Sequence, residues 1–309
     1  MIRLSQTAPF IIVFFLLFVT ACNGDADPEV PPGEQEALET PVQPETKTVR
    51  SADGTRIGYT KIGSGPVPVV FVHGALNTGE QWMQVAQELS EQYTCYVIDR
   101  WGRGNSEHRT DYSLEFEIAD ILAVLEEAGP ESYVLGHSSG AIYAIEAAKR
   151  ASVAGLILYE PPLHAFIEGP FVDETFDRIY SAFEDGKYEE SLHIFLSEEA
   201  RVPDEAIAEV EATPFWDHMV EHTPHSVIEW KALMQEDMDL ERYRDIAVPT
   251  LMLAGTVTEE HPSFATDALD ALLPETQIAM LEGEGHTANL SSPDMVSEEI
   301  DEFISGTVQ

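Results

Sequence analysis

The sequence predicts an α/β protein in which a mostly parallel central sheet is flanked by helices and interrupted by a helical insert. Three observations carry this. From residue 67 onward, short β-branched and apolar runs alternate with stretches of helical periodicity. Between residues 163 and 244 the alternation stops and only helical periodicity remains. From residue 248 it resumes and continues to the last apolar-periodic segment, 293–305. Strands separated by helix-length segments need crossovers, and right-handed crossovers place them parallel in one sheet.

The elements follow in chain order. Residues 1–21 read as an export signal: Arg3 without an acid, then a ten-residue apolar run over 10–19, too short to span a bilayer. Val19-Thr20-Ala21-Cys22 resembles a bacterial lipoprotein cleavage site, which makes Cys22 a lipidation candidate and the membrane a partner through it. Localisation is then the cell envelope, with the chain exported. Residues 22–46 are acidic, Pro-rich and free of aromatics, the composition of a disordered tether. Asp53-Gly54 marks a hairpin between strands at 48–50 and 55–61. Strands follow at 67–72, 94–98, 132–135 and 153–159, with helices at 79–90, 113–128 and 139–150 between them. Residues 47–162 and 245–309 are the core, and 163–244 the insert, read as a lid with Pro203, Pro214 and Pro224 interrupting its helices. The last elements are a strand at 248–254, a helix at 263–272, a strand at 277–281 and a helix at 293–305 capped by Ser292.

Charge and cysteine content narrow the function. Across 309 residues, 56 Asp plus Glu against 16 Lys plus Arg give a formal net charge of -40. A nucleic-acid backbone would be repelled by such a field. Cys22 and Cys95 are the only cysteines, so lipidation of the first leaves the second without a disulfide partner. Cys95 lies in an apolar strand and reads as a small buried hydrophobe.

The chemistry gathers at strand ends. Gly136-His-Ser-Ser-Gly140 lies between a strand and a helix, the context of a nucleophile elbow. A sharp turn pushes Ser138 out over the sheet edge, and the two glycines let the backbone pack around it. The following helix aims its first N–H groups at the same place, which favours a developing anion.

With His73-Gly74-Ala75 after one strand, Asp99-Arg-Trp-Gly-Arg-Gly-Asn-Ser106 after the next, and Glu282-Gly-Glu-Gly-His286 after the last, the chain resembles the α/β-hydrolase superfamily from about residue 47 to 308. The resemblance implies an oxyanion hole made by the backbone N–H groups of Ala75 and Ser139. It also implies His286 as the base that activates Ser138, with structural roles for His73 and for Asp99 and the glycines of its turn. The sequence departs from the commonest family pattern at the acid. Thr258 stands three residues beyond Gly255, where most members carry Asp. Glu160 is one replacement, at the strand end where one haloalkane dehalogenase subgroup carries its acid. Glu259 and Glu260 are the other.

These residues imply a serine hydrolase acting on a carboxylic ester or related acyl bond of a small molecule, without cofactor or metal. A thioesterase, an amidase or a cofactor-free haloperoxidase would use the same triad. A non-catalytic ligand-binding member of the fold is the alternative from another class. Dehalogenase and epoxide-hydrolase chemistry is disfavoured, because those branches use Asp as nucleophile. His218, His222 and His225 form a histidine cluster, but no Cys or matching Glu pattern marks zinc.

Overall fold

The computed structural model describes residues 43–163, 174–236, 239–258 and 260–307. The signal, Cys22, most of the tether and Glu259 lie outside the described residues.

Eight strands form one sheet: β1 (Glu45–Arg50), β2 (Arg56–Gly63), β3 (Val67–Val72), β4 (Tyr93–Ile98), β5 (Tyr133–His137), β6 (Gly155–Tyr159), β7 (Thr250–Gly255) and β8 (Thr276–Leu281). Their order is β1-β2-β4-β3-β5-β6-β7-β8. β1 and β2 run antiparallel to their neighbours, while β4, β3, β5, β6, β7 and β8 are mutually parallel.

The central strands are apolar at consecutive positions because both of their faces are covered. In β6, Leu156 and Leu158 face one core while Ile157 and Tyr159 face the other. The first core is closed by α2 (Leu114–Ala128), α3 (Ser139–Ala148) and α8 (Glu260–Asp270). The second is closed by α1 (Met83–Leu89) and α10 (Pro293–Thr307), with the one-turn α9 (Ala288–Ser291) beside them. α2 begins where expected, with the Ser113 hydroxyl accepting from Phe116 N.

The insert joins β6 to β7 through α4 (Glu174–Glu184), α5 (Tyr188–Ile194), α6 (Asp204–Glu211) and α7 (Pro214–Leu233). It has one apolar centre of its own around Ile179, Ala182, Ile194 and Val227, and another around Leu192, Ile207, Trp216 and Met219 that also takes in Leu76 of the loop after β3. Phe195 and Trp230 stack at 3.9 Å between ring centroids, so these aromatics serve the packing of the insert itself.

Four sequence expectations need correction. β1 begins at Glu45, ahead of residue 47, because it is an edge strand held by backbone pairing to β2, and such a strand needs no apolar face. β5 runs on to His137, so the strand reaches the elbow itself. Pro224 does not interrupt α7. Hydroxyls of the same turn bond its carbonyls, Thr223 Oγ1 to Met219 O at 2.8 Å and Ser226 Oγ to His222 O at 3.1 Å, and the helix is held by packing on both sides. The Ser292 hydroxyl donates to Glu284 Oε1 at 2.6 Å instead of capping α10.

Candidate active site

The turn from β5 into α3 holds Ser138 at φ 53°, ψ −128°, a conformation that L-residues avoid. Such strain costs on the order of 1–3 kcal/mol and persists where the surroundings impose it. Here they do. A Cβ on Gly136 would stand 2.4 Å from Gly140 O, and one on Gly140 would stand 2.5 Å from both Val72 O and His73 O. A Cβ on Gly74 would come to 3.0 Å from the Ser138 Cβ, so the loop after β3 lies directly against the elbow. Neither Ala75 N–H nor Ser139 N–H has a hydrogen-bond acceptor among the described residues, which leaves both donors open beside Ser138.

His286 lies in the loop between β8 and α9, and its Nδ1 is 2.6 Å from Glu160 Oε2. Glu160 follows β6 with φ 45°, a second left-handed residue at the same sheet edge. Its other oxygen accepts from Gly255 N at 2.8 Å and from Thr258 Oγ1 at 2.6 Å. Burial raises the carboxyl pKa, but the His286 bond and charge, the Thr258 hydroxyl and the Gly255 N–H outweigh it and hold the group below its ordinary 4.5. Glu160 is 1% exposed, whereas His286 keeps 43% of its side-chain surface, so the carboxylate is sealed and the imidazole is reachable. Glu260 opens α8.

Two further residues, not singled out in the sequence, hold the His286 loop. The Tyr159 hydroxyl donates to Gly285 O and accepts from Ala288 N at 2.9 Å. His137 Nε2 donates to His286 O at 2.8 Å, while its Nδ1 accepts from Gln81 Nε2 at 3.2 Å. The partners fix the tautomer, and burial keeps the ring neutral by pushing its pKa well down. The His137 and His286 rings are 4.6 Å apart, which sets the imidazole beside the residue preceding Ser138. No hydrogen bond joins Ser138 Oγ to His286 among the described residues.

His73 is fully buried. Its Nε2 accepts from Arg100 N at 3.1 Å, so Nδ1 carries the proton and donates to Gly74 O at 2.8 Å. Asp99 accepts from Gly79 N, Asn105 N and Asn105 Nδ2, and so braces its own turn. Burial pushes the Cys95 thiol up to about 12. His218, His222 and His225 lie along α7, where burial lowers His222 and His225 to about 4. No group of three side chains suited to a metal ion occurs among the described residues.

An elbow serine, open amides and a carboxylate-bound histidine at the edge of such a sheet define a class of hydrolytic folds. The chain matches the alpha/beta hydrolase family over residues 69–299 and belongs to it. It is similar to N-formylmaleamate deformylase of Pseudomonas putida, with 36% identity over 118 residues, a match that spans 37% of this chain and 44% of that relative. A pimeloyl-[acyl-carrier protein] methyl ester esterase of Aeromonas salmonicida is 24% identical over 255 residues, covering 80% of this chain and 99% of the relative. Among solved structures, an alpha/beta hydrolase from Sphaerobacter thermophilus shares 30% identity with a TM-score of 0.75, over 84% of this chain and 100% of that one.

Proposed function

We propose that the protein is a serine hydrolase that cleaves a carboxylic ester of a small molecule through an acyl-enzyme. The observation that carries this reading is the 2.6 Å bond between His286 Nδ1 and the sealed Glu160 carboxylate, beside the Ser138 elbow. With Nδ1 committed to Glu160, Nε2 is the nitrogen left to take a proton. A serine–imidazole bond often tightens only when substrate is in place.

Ser138 Oγ attacks the ester carbon as His286 Nε2 takes its proton, and the carbonyl electron pair moves onto oxygen. The amides of Ala75 and Ser139 stabilise that oxyanion, a contribution of about 3 kcal/mol per donor. Collapse expels the alcohol, protonated by His286. Water, deprotonated by the same imidazole, then releases the acid and regenerates Ser138. Glu160 holds the tautomer and stabilises the imidazolium throughout.

The methyl ester esterase relative, which the chain matches over nearly its whole length, supports an ester. Fluorophosphonate labelling that is lost in Ser138→Ala, with turnover of aryl esters lost in parallel, is the expected result. A folded wild type that neither labels nor turns over any ester of a panel graded by acyl length would favour a ligand-binding protein instead. We place this activity at a bacterial membrane through Cys22, on the strength of the Val19-Thr20-Ala21-Cys22 motif alone. Labelled palmitate should enter the wild type and not Cys22→Ala.

A further inference from the structure

A buried ion cluster lies against the loop that carries Ala75. Arg100 Nε donates to Glu117 of α2 at 2.6 Å, and Arg100 Nη2 is 2.7 Å from Glu229 of α7. Its Nη1 donates to His73 O at 3.1 Å and Gly74 O at 3.2 Å. Arg103 pairs with the same Glu229 and reaches Ser226 Oγ at 3.4 Å. Both arginines and both glutamates have at most 1% of their surface exposed.

Ser226, one turn before Glu229 on α7, completes the connection. Its Oγ accepts from Leu76 N at 2.8 Å and donates to His222 O. Leu76 has φ 59°, so the loop turns through a conformation that a leucine adopts only under constraint. Three of these bonds end on the loop's backbone: the carbonyls of residues 73 and 74 on Arg100, and the N–H of residue 76 on Ser226. Between them, Ala75 N–H has no acceptor among the described residues.

We propose that Ser226 and Glu229 of the insert, acting through Arg100, are positioning residues for the oxyanion hole, so that the insert is part of the device that stabilises the transition state. This rests on the serine-hydrolase reading. The chemistry fits the task. A guanidinium offers five donors in a rigid fork, enough to hold two carbonyls and two carboxylates at once. A buried ion network contributes little net stability compared with apolar packing, but it fixes directions that apolar contacts leave free. An amide misplaced by about 1 Å costs on the order of a hundredfold in rate.

The test uses full-length protein with Ser226→Ala and Glu229→Gln, concentrations normalised by fluorophosphonate titration of Ser138. We expect Ser226→Ala to lower kcat on an aryl ester about tenfold, with KM within about twofold, and to weaken a trifluoromethyl ketone inhibitor by the same factor as kcat. Glu229→Gln should act in the same direction and more strongly. If Glu229→Gln fails to fold, Ser226→Ala, which removes a single hydroxyl, carries the test. A purely structural role would lower the thermal midpoint and leave kcat per titrated site and ketone affinity untouched. That result, or a rise in KM alone, overturns the proposal while leaving the hydrolase reading standing. A wild type without Ser138-dependent turnover overturns both.

Discussion

At the scale of single residues, the site depends on where the negative charge sits. Glu160 projects from a left-handed residue after β6 and meets His286 there, while Thr258, at the position where the family pattern more often has Asp, donates its hydroxyl to the same carboxylate. Replacing Glu160 by Gln keeps the shape and removes the charge. kcat should fall by about a thousandfold or more, read per titrated Ser138. Retention of a tenth of the activity would move the acid elsewhere. Thr258→Val should cost between about tenfold and about a hundredfold, since one hydroxyl bond to a charged group is worth about 1.5–3 kcal/mol, and less than Glu160→Gln because Gly255 N still serves the same oxygen. The depressed Glu160 pKa also predicts a pH effect. Its folded value lies below the ordinary 4.5, so its contribution to stability is complete above that value and is lost as pH falls through the depressed one. An acid denaturation series should therefore show a component below about pH 4.5 that is missing in Glu160→Gln.

At the scale of elements, the elbow depends on β3, β5 and α3 approaching one another more closely than any side chain would permit. Gly140→Ala would drive a Cβ to 2.5 Å from two carbonyl oxygens of the β3 end, neither on a flexible side chain. It should destabilise the fold by about 1–3 kcal/mol in denaturant titration and lower kcat more than KM, because the same wedge separates Ala75 from Ser139. Unchanged stability and activity would contradict the close packing. Elements of this kind were legible in the sequence, since a glycine two residues either side of an elbow serine has a local steric cause. The continuity of α7 was not legible. Proline at 224 is a local signal for a break, whereas the packing that holds the helix on both sides of it comes from residues on other segments, with hydroxyl bonds within the helix beside it.

At the scale of the whole molecule, the two kinds of charge behave differently. That Ser138, Glu160 and His286 follow β5, β6 and β8 could be read from the chain, because each stands in a short segment just beyond a strand. The link from Arg100 to Glu229 spans more than a hundred residues and has no local pattern, so only the fold reveals it. That buried network lies out of reach of salt, whereas the chain carries 56 acids against 16 bases and, among the described residues, most of the acids are not buried. Surface repulsion acts over a Debye length of about 30 Å at 0.01 M salt and about 3 Å at 1 M. Raising sodium chloride across that range should therefore increase the thermal midpoint of the wild type by several degrees, as self-repulsion is screened. Glu229→Gln should gain the same increment and keep its own deficit at every salt concentration, because the charge it lacks is shielded by protein rather than by ions. A midpoint independent of salt would mean that the acids are spaced too widely to repel. A deficit that salt erased would place Glu229 in contact with solvent, against the burial on which the insert's hold over the oxyanion loop depends.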